Sequence, residues 1–160
     1  MEPKFSAIAA DVVLGRDVKI YSFVNLYGCT IGDDTKVGAF VEIQRGATIG
    51  KSCKISSHTF ICDGVHIGDG CFIGHGVVFT NDKYPKAVNA KGELAGPEDW
   101  TMLETHIGNR VAVGSGAVIL CGISIGDDAV IGAGAVVTRN VPAGATVAGV
   151  PARALLRGGR

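Results

Sequence analysis

Aliphatic side chains recur at every sixth residue along most of this chain. From Ile31 the series runs through Val37, Ile43, Ile49, Ile55, Ile61, Ile67 and Ile73 to Phe79. Leu14, Ile20 and Leu26 precede it, one residue out of step, and Ile107, Val113, Ile119, Ile125, Ile131 and Val137 follow it. Three, nine and six positions make eighteen hexads, which divide into six turns of three. Four residues after each of them except Phe79 stands a small or β-branched side chain, among them Val18, Thr30, Thr35, Ala47, Cys53, Thr59, Cys71, Ala117 and Ala135.

Period six matches neither the 3.6 of an α-helix nor the 2 of an alternating strand. It predicts a triangular coil with one short strand per side and a tight turn at each corner. The aliphatic residue fills the interior, and its small partner leaves room for the bend. Parallel strands then stack coil on coil at about 4.8 Å. Residues eighteen apart superpose, so Cys53 lies under Cys71 and both read as core spacers. Self-similarity at a fixed period marks a solenoid. The period leaves its hand open.

Composition agrees. Glycine is abundant, at 24 residues, and aromatics make up only 6%. Frequent corner glycines supply positive φ angles. Fifteen basic and fifteen acidic residues cancel. That balance gives no footprint for nucleic acid, so no such partner is expected. No apolar run approaches the ~20 residues of a membrane span, and MEPKFSAIAADVV lacks a signal-peptide core. No membrane partner is expected. Five scattered cysteines without a CxxC pair read as free thiols in a reducing cytoplasm.

One stretch breaks the rhythm. Between Phe79 and Ile107 the chain reads TNDKYPKAVNAKGELAGPEDWTMLETH, with the only tryptophan, Trp100. A long excursion from a regular scaffold usually carries function. The expected organisation is a single domain over 1–160, an inserted loop at 81–104 and a short tail at 143–160. Ala152 to Leu156 is expected to form a helical turn capping the open end.

The hexads, the ejected loop and the string IGNRVAVGSGAVILCGISIGDDAVIGAGAVVTRNVPAGATVAGVPAR together resemble the hexapeptide-repeat acyltransferase superfamily over nearly the whole chain. Within it, FICDGVHIGDGCFIGHGVVFTNDKYP is similar to nucleotide-sugar 3-N-acetyltransferases. These act on UDP-2-acetamido-3-amino-2,3-dideoxyglucuronate or on dTDP-3-amino-3,6-dideoxyhexoses. The resemblance implies an all-β, left-handed parallel β-helix of about six coils. It also implies acetyl-CoA as acyl donor, a nucleotide-linked amino sugar as acceptor, no metal, and a homotrimer with active sites between coils. The early start of the hexads suits the minimal coil-plus-loop type.

Acyl transfer to an amine needs a held nucleophile and a place for its proton. By resemblance, Asn81 matches the asparagine beside the reacting amine, although an Asn-Asp pair also starts many turns. His75 holds the same place in the preceding hexad and is a candidate base, a role that the departing CoA thiolate can also fill. Asp82, Lys83, Tyr84, Glu42, Gln44 and Arg45 are candidates for the sugar nucleotide, as is His58, one coil below His75. His66 and His106 close equivalent hexads and are expected to stack on one edge. CoA contacts carry over to Ser115, Gly116, Ala117, Ala133, Gly134 and Ala135, with Arg139, Arg153 and Arg157 for its phosphates. Plain solvated surface accounts for several of these equally well.

Three other readings stay open. An O-acetyltransferase of the same superfamily would need a base for its hydroxyl acceptor. A γ-class carbonic anhydrase would need three histidines converging on zinc. A non-catalytic assembly subunit would need neither the loop nor the asparagine.

Overall fold

Each hexad folds as a two-residue strand and a corner, and three hexads close one turn of a left-handed parallel β-helix. The computed structural model describes residues 5–155. The first face carries seven parallel strands, from Ala7–Ile8 through Glu42–Ile43, Phe60–Ile61 and Val78–Phe79 to Val136–Val137. The second carries six, from Val13–Leu14 through Val65–Ile67 and Thr105–Ile107 to Ser124–Ile125, with Val141 bridging on to Ile125. The third climbs from Lys19–Ile20 to Thr146–Ala148. The coil therefore runs beyond the eighteen hexads at both ends, through Ile8 below and Val147 above.

Register explains the interruptions. Strand partners are eighteen residues apart in most of the coil, as with Lys36 and Lys54. They are seventeen apart across the slip, as with Lys19 and Lys36. The lost residue changes which side chain turns inward. Cys29 is buried there, and Thr30, expected as a spacer, faces solvent. Across the excursion partners lie forty apart, as with Phe72 and Ala112, so the insertion adds twenty-two residues without disturbing the stack.

The core is a column of aliphatic rows. Leu26, Ile43, Ile61, Phe79, Ile119 and Val137 superpose along the first face, each 1% exposed or less. Burying each such side chain contributes roughly 1.5–3 kcal/mol. The polar spacers are reconciled with this interior by a repeated bond. Thr35 Oγ1 donates to the carbonyl of Gly50, Cys53 Sγ to Gly68, Thr59 Oγ1 to Gly74 and Cys71 Sγ to Gly108. All five cysteines are free and buried.

Thr105 breaks that rule. Its Oγ1 is buried, with no hydrogen-bond partner among the described residues. An orphaned hydroxyl carries its full desolvation cost. Thr105→Val is expected to raise unfolding free energy by about 1 kcal/mol, read as a shifted urea midpoint at unchanged slope. A loss of stability would show that the hydroxyl is satisfied.

The upper end closes differently from expectation. Arg153–Ala154 forms an antiparallel strand against Thr146–Ala148, where a helical turn was expected. The unpaired edge of the last rung supplies N–H and C=O partners that a helical turn would leave unsatisfied. Leu155 N donates to Thr146 O, so backbone pairing reaches the last described residue. Leu156 lies outside the described residues.

Candidate functional site

Two edges of the prism carry the candidate residues. The loop edge joins the first face to the second, and the glycine edge joins the third face to the first face of the next turn. His75 sits on the glycine edge and Asn81 on the loop edge, with the strand Val78–Phe79 between them. One chain therefore does not bring the two together. A full side of the triangle separates them.

Asn81 is the base of the excursion. Its backbone carbonyl accepts from Leu103 N at 3.0 Å, which clamps the two ends of the loop. Its side-chain Nδ2 donates to Asp63 O, one coil below, at 3.2 Å. A carbonyl can only accept, so this bond fixes the amide's orientation. Oδ1 is left with no donor among the described residues. Met102 packs over Gly64 just beneath, so the returning strand seats the base of the loop on the coil.

The loop itself is folded. Asn89 Oδ1 accepts from Lys91 N and Glu93 N, and Val88 bridges Leu94 antiparallel. A 3-10 turn covers Pro97–Asp99. Within the loop lies a cleft of about 710 Å³, lined by Asp82, Lys83, Tyr84, Lys86, Trp100 and Leu103 among others. Asp82 Oδ1 accepts from Tyr84 N at 2.9 Å, and the Lys83 ammonium lies 5.7 Å from the Tyr84 ring centre. The Asp82 side chain thus shapes its own turn as well as lining the cleft.

On the glycine edge His75 is exposed and held from two sides. Its Nδ1 bonds Ser57 Oγ at 2.9 Å, and its backbone N–H donates to Ser115 Oγ at 3.1 Å. The residue stacked beneath His75 is therefore Ser57. His58, placed below His75 on sequence grounds, stands one position further on, beneath Gly76. Above His75 come Ser115 and Gly116, then Ala133 and Gly134, on successive turns. A Cβ at Gly114 would collide with the backbone of Ala133, so glycine is required for the turns to close. At Gly76, Gly116 and Gly134 a Cβ would meet nothing within 4 Å, and the edge there is a bare backbone groove. Ala117 and Ala135 are fully buried. Their side chains fill the core, so a ligand in the groove meets only their backbone.

The remaining candidates spread out. Glu42 projects from the first face beneath Phe60 and accepts from Gln44 Nε2 at 2.9 Å. Arg45 turns to Asp11 at 3.5 Å. Arg139 stands on the loop edge and Arg153 in the closing strand, so the two do not converge, and Arg157 lies outside the described residues. His66 and His106 are registered partners on the second face, with ring centres 5.0 Å apart and Glu104 Oε2 3.2 Å from His106 Nε2. The histidines thus fall into two separated pairs. Among the described residues no three His, Cys, Asp or Glu side chains are grouped to hold a metal ion.

Ser57 and Asp63 carry no motif, and the sequence reading passed over both. Each lies eighteen residues before the residue it holds, and that offset is the signal that finds them. Cys62 adjoins Asp63, 2% exposed, and burial pushes its thiol up to about 12. A raised folded value means stability that is intact below the ordinary value of 9.0 and lost as pH climbs toward 12. Unfolding free energy is therefore expected to fall with pH above about 9, with a shallower fall in Cys62→Ala. Identical slopes in the two proteins would exclude this thiol as a source.

Comparison with known proteins agrees with the fold. The profile of bacterial transferase hexapeptide repeats matches residues 28–63, 46–81 and 104–139. A 2,3,4,5-tetrahydropyridine-2,6-dicarboxylate N-acetyltransferase from Staphylococcus aureus is 47% identical over 49 residues, 31% of this chain and 20% of that protein. The match spans about a fifth of the relative's length. An aspartate-to-alanine variant of AntD, an N-acyltransferase from Bacillus cereus solved with dTDP and coenzyme A, superposes with a TM-score of 0.79 at 19% identity, over 92% of this chain and 84% of that one. PerB from Caulobacter crescentus, solved with CoA and GDP-perosamine, superposes with a TM-score of 0.59 at 23% identity, over 94% of this chain and 56% of that one. At such identities the superpositions establish a shared fold. No helix among the described residues is long and apolar enough to cross a membrane.

Proposed function

The chain belongs to the bacterial transferase hexapeptide family, and on that premise we propose that it transfers an acetyl group from acetyl-CoA to the amine of a nucleotide-linked sugar. The observation that carries this is the state of Asn81. Its amide is pinned to Asp63 O and its Oδ1 is open, at the base of the loop and one residue before Asp82, which lines the loop cleft. An acceptor so placed takes one N–H of a neutral amine and aims the nitrogen lone pair at the thioester carbonyl. The C–N bond forms, the C–S bond breaks, and the departing thiolate takes the second amine proton. AntD and PerB were solved with coenzyme A and a nucleotide or nucleotide sugar, which supports the choice of substrates.

The pantetheine arm lies along the bare groove of Gly76, Gly116 and Gly134, where backbone can approach it closely. Because that groove and Asn81 occupy different edges, one complete site takes the loop edge of one chain and the glycine edge of another. A homotrimer in the cytoplasm, where acetyl-CoA and nucleotide sugars are made, follows from this reading. Sedimentation showing an active monomer would sink the shared site.

A second reading rests on His75. His75 is exposed, and in the tautomer whose Nδ1 donates to Ser57 Oγ its Nε2 is the nitrogen left to accept a proton. A hydroxyl acceptor needs such a base, and a neutral amine does not. The test is a thiol-release assay with acetyl-CoA and a panel of amino- and hydroxy-sugar nucleotides, run on the natural protein and on His75→Ala. Turnover on an amino sugar that survives His75→Ala supports the amine. Turnover confined to hydroxyl acceptors and abolished in His75→Ala supports the ester. No thiol release with any acceptor overturns acetyl transfer itself.

A further inference from the structure

The glycine edge changes character halfway up. On its lower turns it carries rings. Phe5 and Phe23 stack with centres 5.7 Å apart, Phe23 and Phe40 at 4.9 Å, and Phe40 and His58 at 4.8 Å, with interplanar angles of 10°, 2° and 21°. All four adopt left-handed backbone conformations, with φ of 52°, 65°, 59° and 62°. Such conformations are costly for bulky side chains, so the ladder is held against local preference. Phe23 and Phe40 remain about half exposed and Phe5 84% exposed. Above His58 the same backbone conformation continues at Gly76, with φ of 63°, but the ring does not. The upper face of the His58 imidazole ends the ladder, open beneath Gly76, where a Cβ would meet nothing within 4 Å.

An independent feature runs beside the ladder. Lys19, Lys36 and Lys54 superpose on the outer surface of the third face, each four residues before a ladder ring. None makes an ion pair among the described residues. Like charges stacked directly across strands repel, and an anion laid over them relieves that repulsion. Four residues of extended chain reach about 13 Å at most, and the corner shortens this. The Lys54 ammonium on its flexible stem is thus within a nucleotide's length of the His58 ring.

We propose that this edge is a nucleotide subsite, in which a nucleobase stacks on His58 as the next ring of the ladder and its phosphate lies over Lys54 and Lys36. This rests on the proposed use of a nucleotide sugar and CoA, both of which carry a base and phosphates. The shared chemistry is a flat heterocycle joined to an anion. The base of the sugar nucleotide and the adenine of CoA are the two sources, and the experiment separates them.

The test is calorimetric binding of dTMP, UMP, GMP and adenosine 3′,5′-bisphosphate to the natural protein and to variants. Asparagine tolerates the left-handed conformation, so His58→Asn removes the ring with the least strain. It is expected to weaken the bound nucleotide by about 5- to 150-fold, the range for one stacked base. His58→Phe restores affinity to within about threefold, because stacking is tolerant of ring type. Lys54→Gln weakens the nucleotide and leaves the corresponding nucleoside unchanged. Ring dependence for a mononucleotide assigns the sugar nucleotide's base, and ring dependence for the bisphosphate alone assigns CoA; either supports the subsite. Nucleotide affinity unchanged in His58→Asn overturns it, as does loss of oligomer in that variant with binding intact, which would make the ladder a contact between copies. If the natural protein releases thiol yet none of these nucleotides depends on the ring, the subsite fails and acetyl transfer stands. If nucleotides bind through the ring but no sugar is acetylated, acetyl transfer fails and the subsite stands.

Discussion

Asn81→Ala is expected to lower kcat by about a hundredfold or more while leaving the affinity for CoA within about twofold. The argument is positional. In the shared site the pantetheine arm is held by the glycine-edge backbone of the neighbouring chain, whereas the Asn81 side chain meets only the amine, so the cofactor's contacts do not include the substituted group. The amine's contacts do. With Oδ1 gone, nothing fixes the lone pair on the line to the thioester carbon, and loss of alignment on this scale costs about 3 kcal/mol of barrier. The Asp63 carbonyl loses its side-chain donor, but it lies at a corner where water replaces Nδ2, so the cost to the fold is small. Asn81→Asp separates aim from anchoring, since it keeps an acceptor oxygen but faces the Asp63 carbonyl with a second acceptor. Steady-state kinetics with calorimetry for CoA checks both halves. Unchanged kcat in Asn81→Ala would remove this residue from the site, and CoA affinity that fell in step with kcat would mean the loop had collapsed.

Phe79→Ala is expected to remove about 3–5 kcal/mol of stability. Phe79 is the largest fully buried side chain among the described residues, 1% exposed, and it stands in a column otherwise built of leucine, isoleucine and valine. The cavity cannot collapse, because backbone bonds to the coils above and below hold the rung at fixed spacing. A solenoid has only neighbouring coils to share a defect, so the loss is felt where the loop departs two residues later. Phe79→Leu fills most of the space and is expected to cost about 1 kcal/mol. Urea unfolding of the two variants tests the ordering. A cost below about 1 kcal/mol for the alanine variant would mean that the coil relaxes around the gap.

The candidate site was partly legible before the structure. Asn81 stands out by its match to an asparagine of the resembled family, and His75 because it holds the same place in the preceding hexad. Their partners did not. Ser57 and Asp63 look like ordinary corner residues, and only the stacking of turns puts them against His75 and Asn81. The ring ladder was hidden for a similar reason. Phe23 and Phe40 are seventeen residues apart where Phe5 and Phe23 are eighteen, so a fixed window of eighteen misses the series. Ala117 and Ala135 carry two expectations at once, since as the small spacers of their hexads their side chains complete the core and only their backbone is left for a cofactor.

The sequence by itself determined the coil. A period of six that places one aliphatic residue inward per side admits no other repeating backbone that buries every row, and the glycines locate the corners. Burial and local sterics act within a few residues of each hexad, so a linear pattern encodes them. Only the tertiary structure decided the hand, the additional rungs at Ile8, Val141 and Val147, the antiparallel strand at the upper end and the assignment of each candidate to an edge. Those depend on which coil sits above which. One deleted residue between Leu26 and Ile31, and twenty-two added after Phe79, change that pairing without altering the hexads themselves.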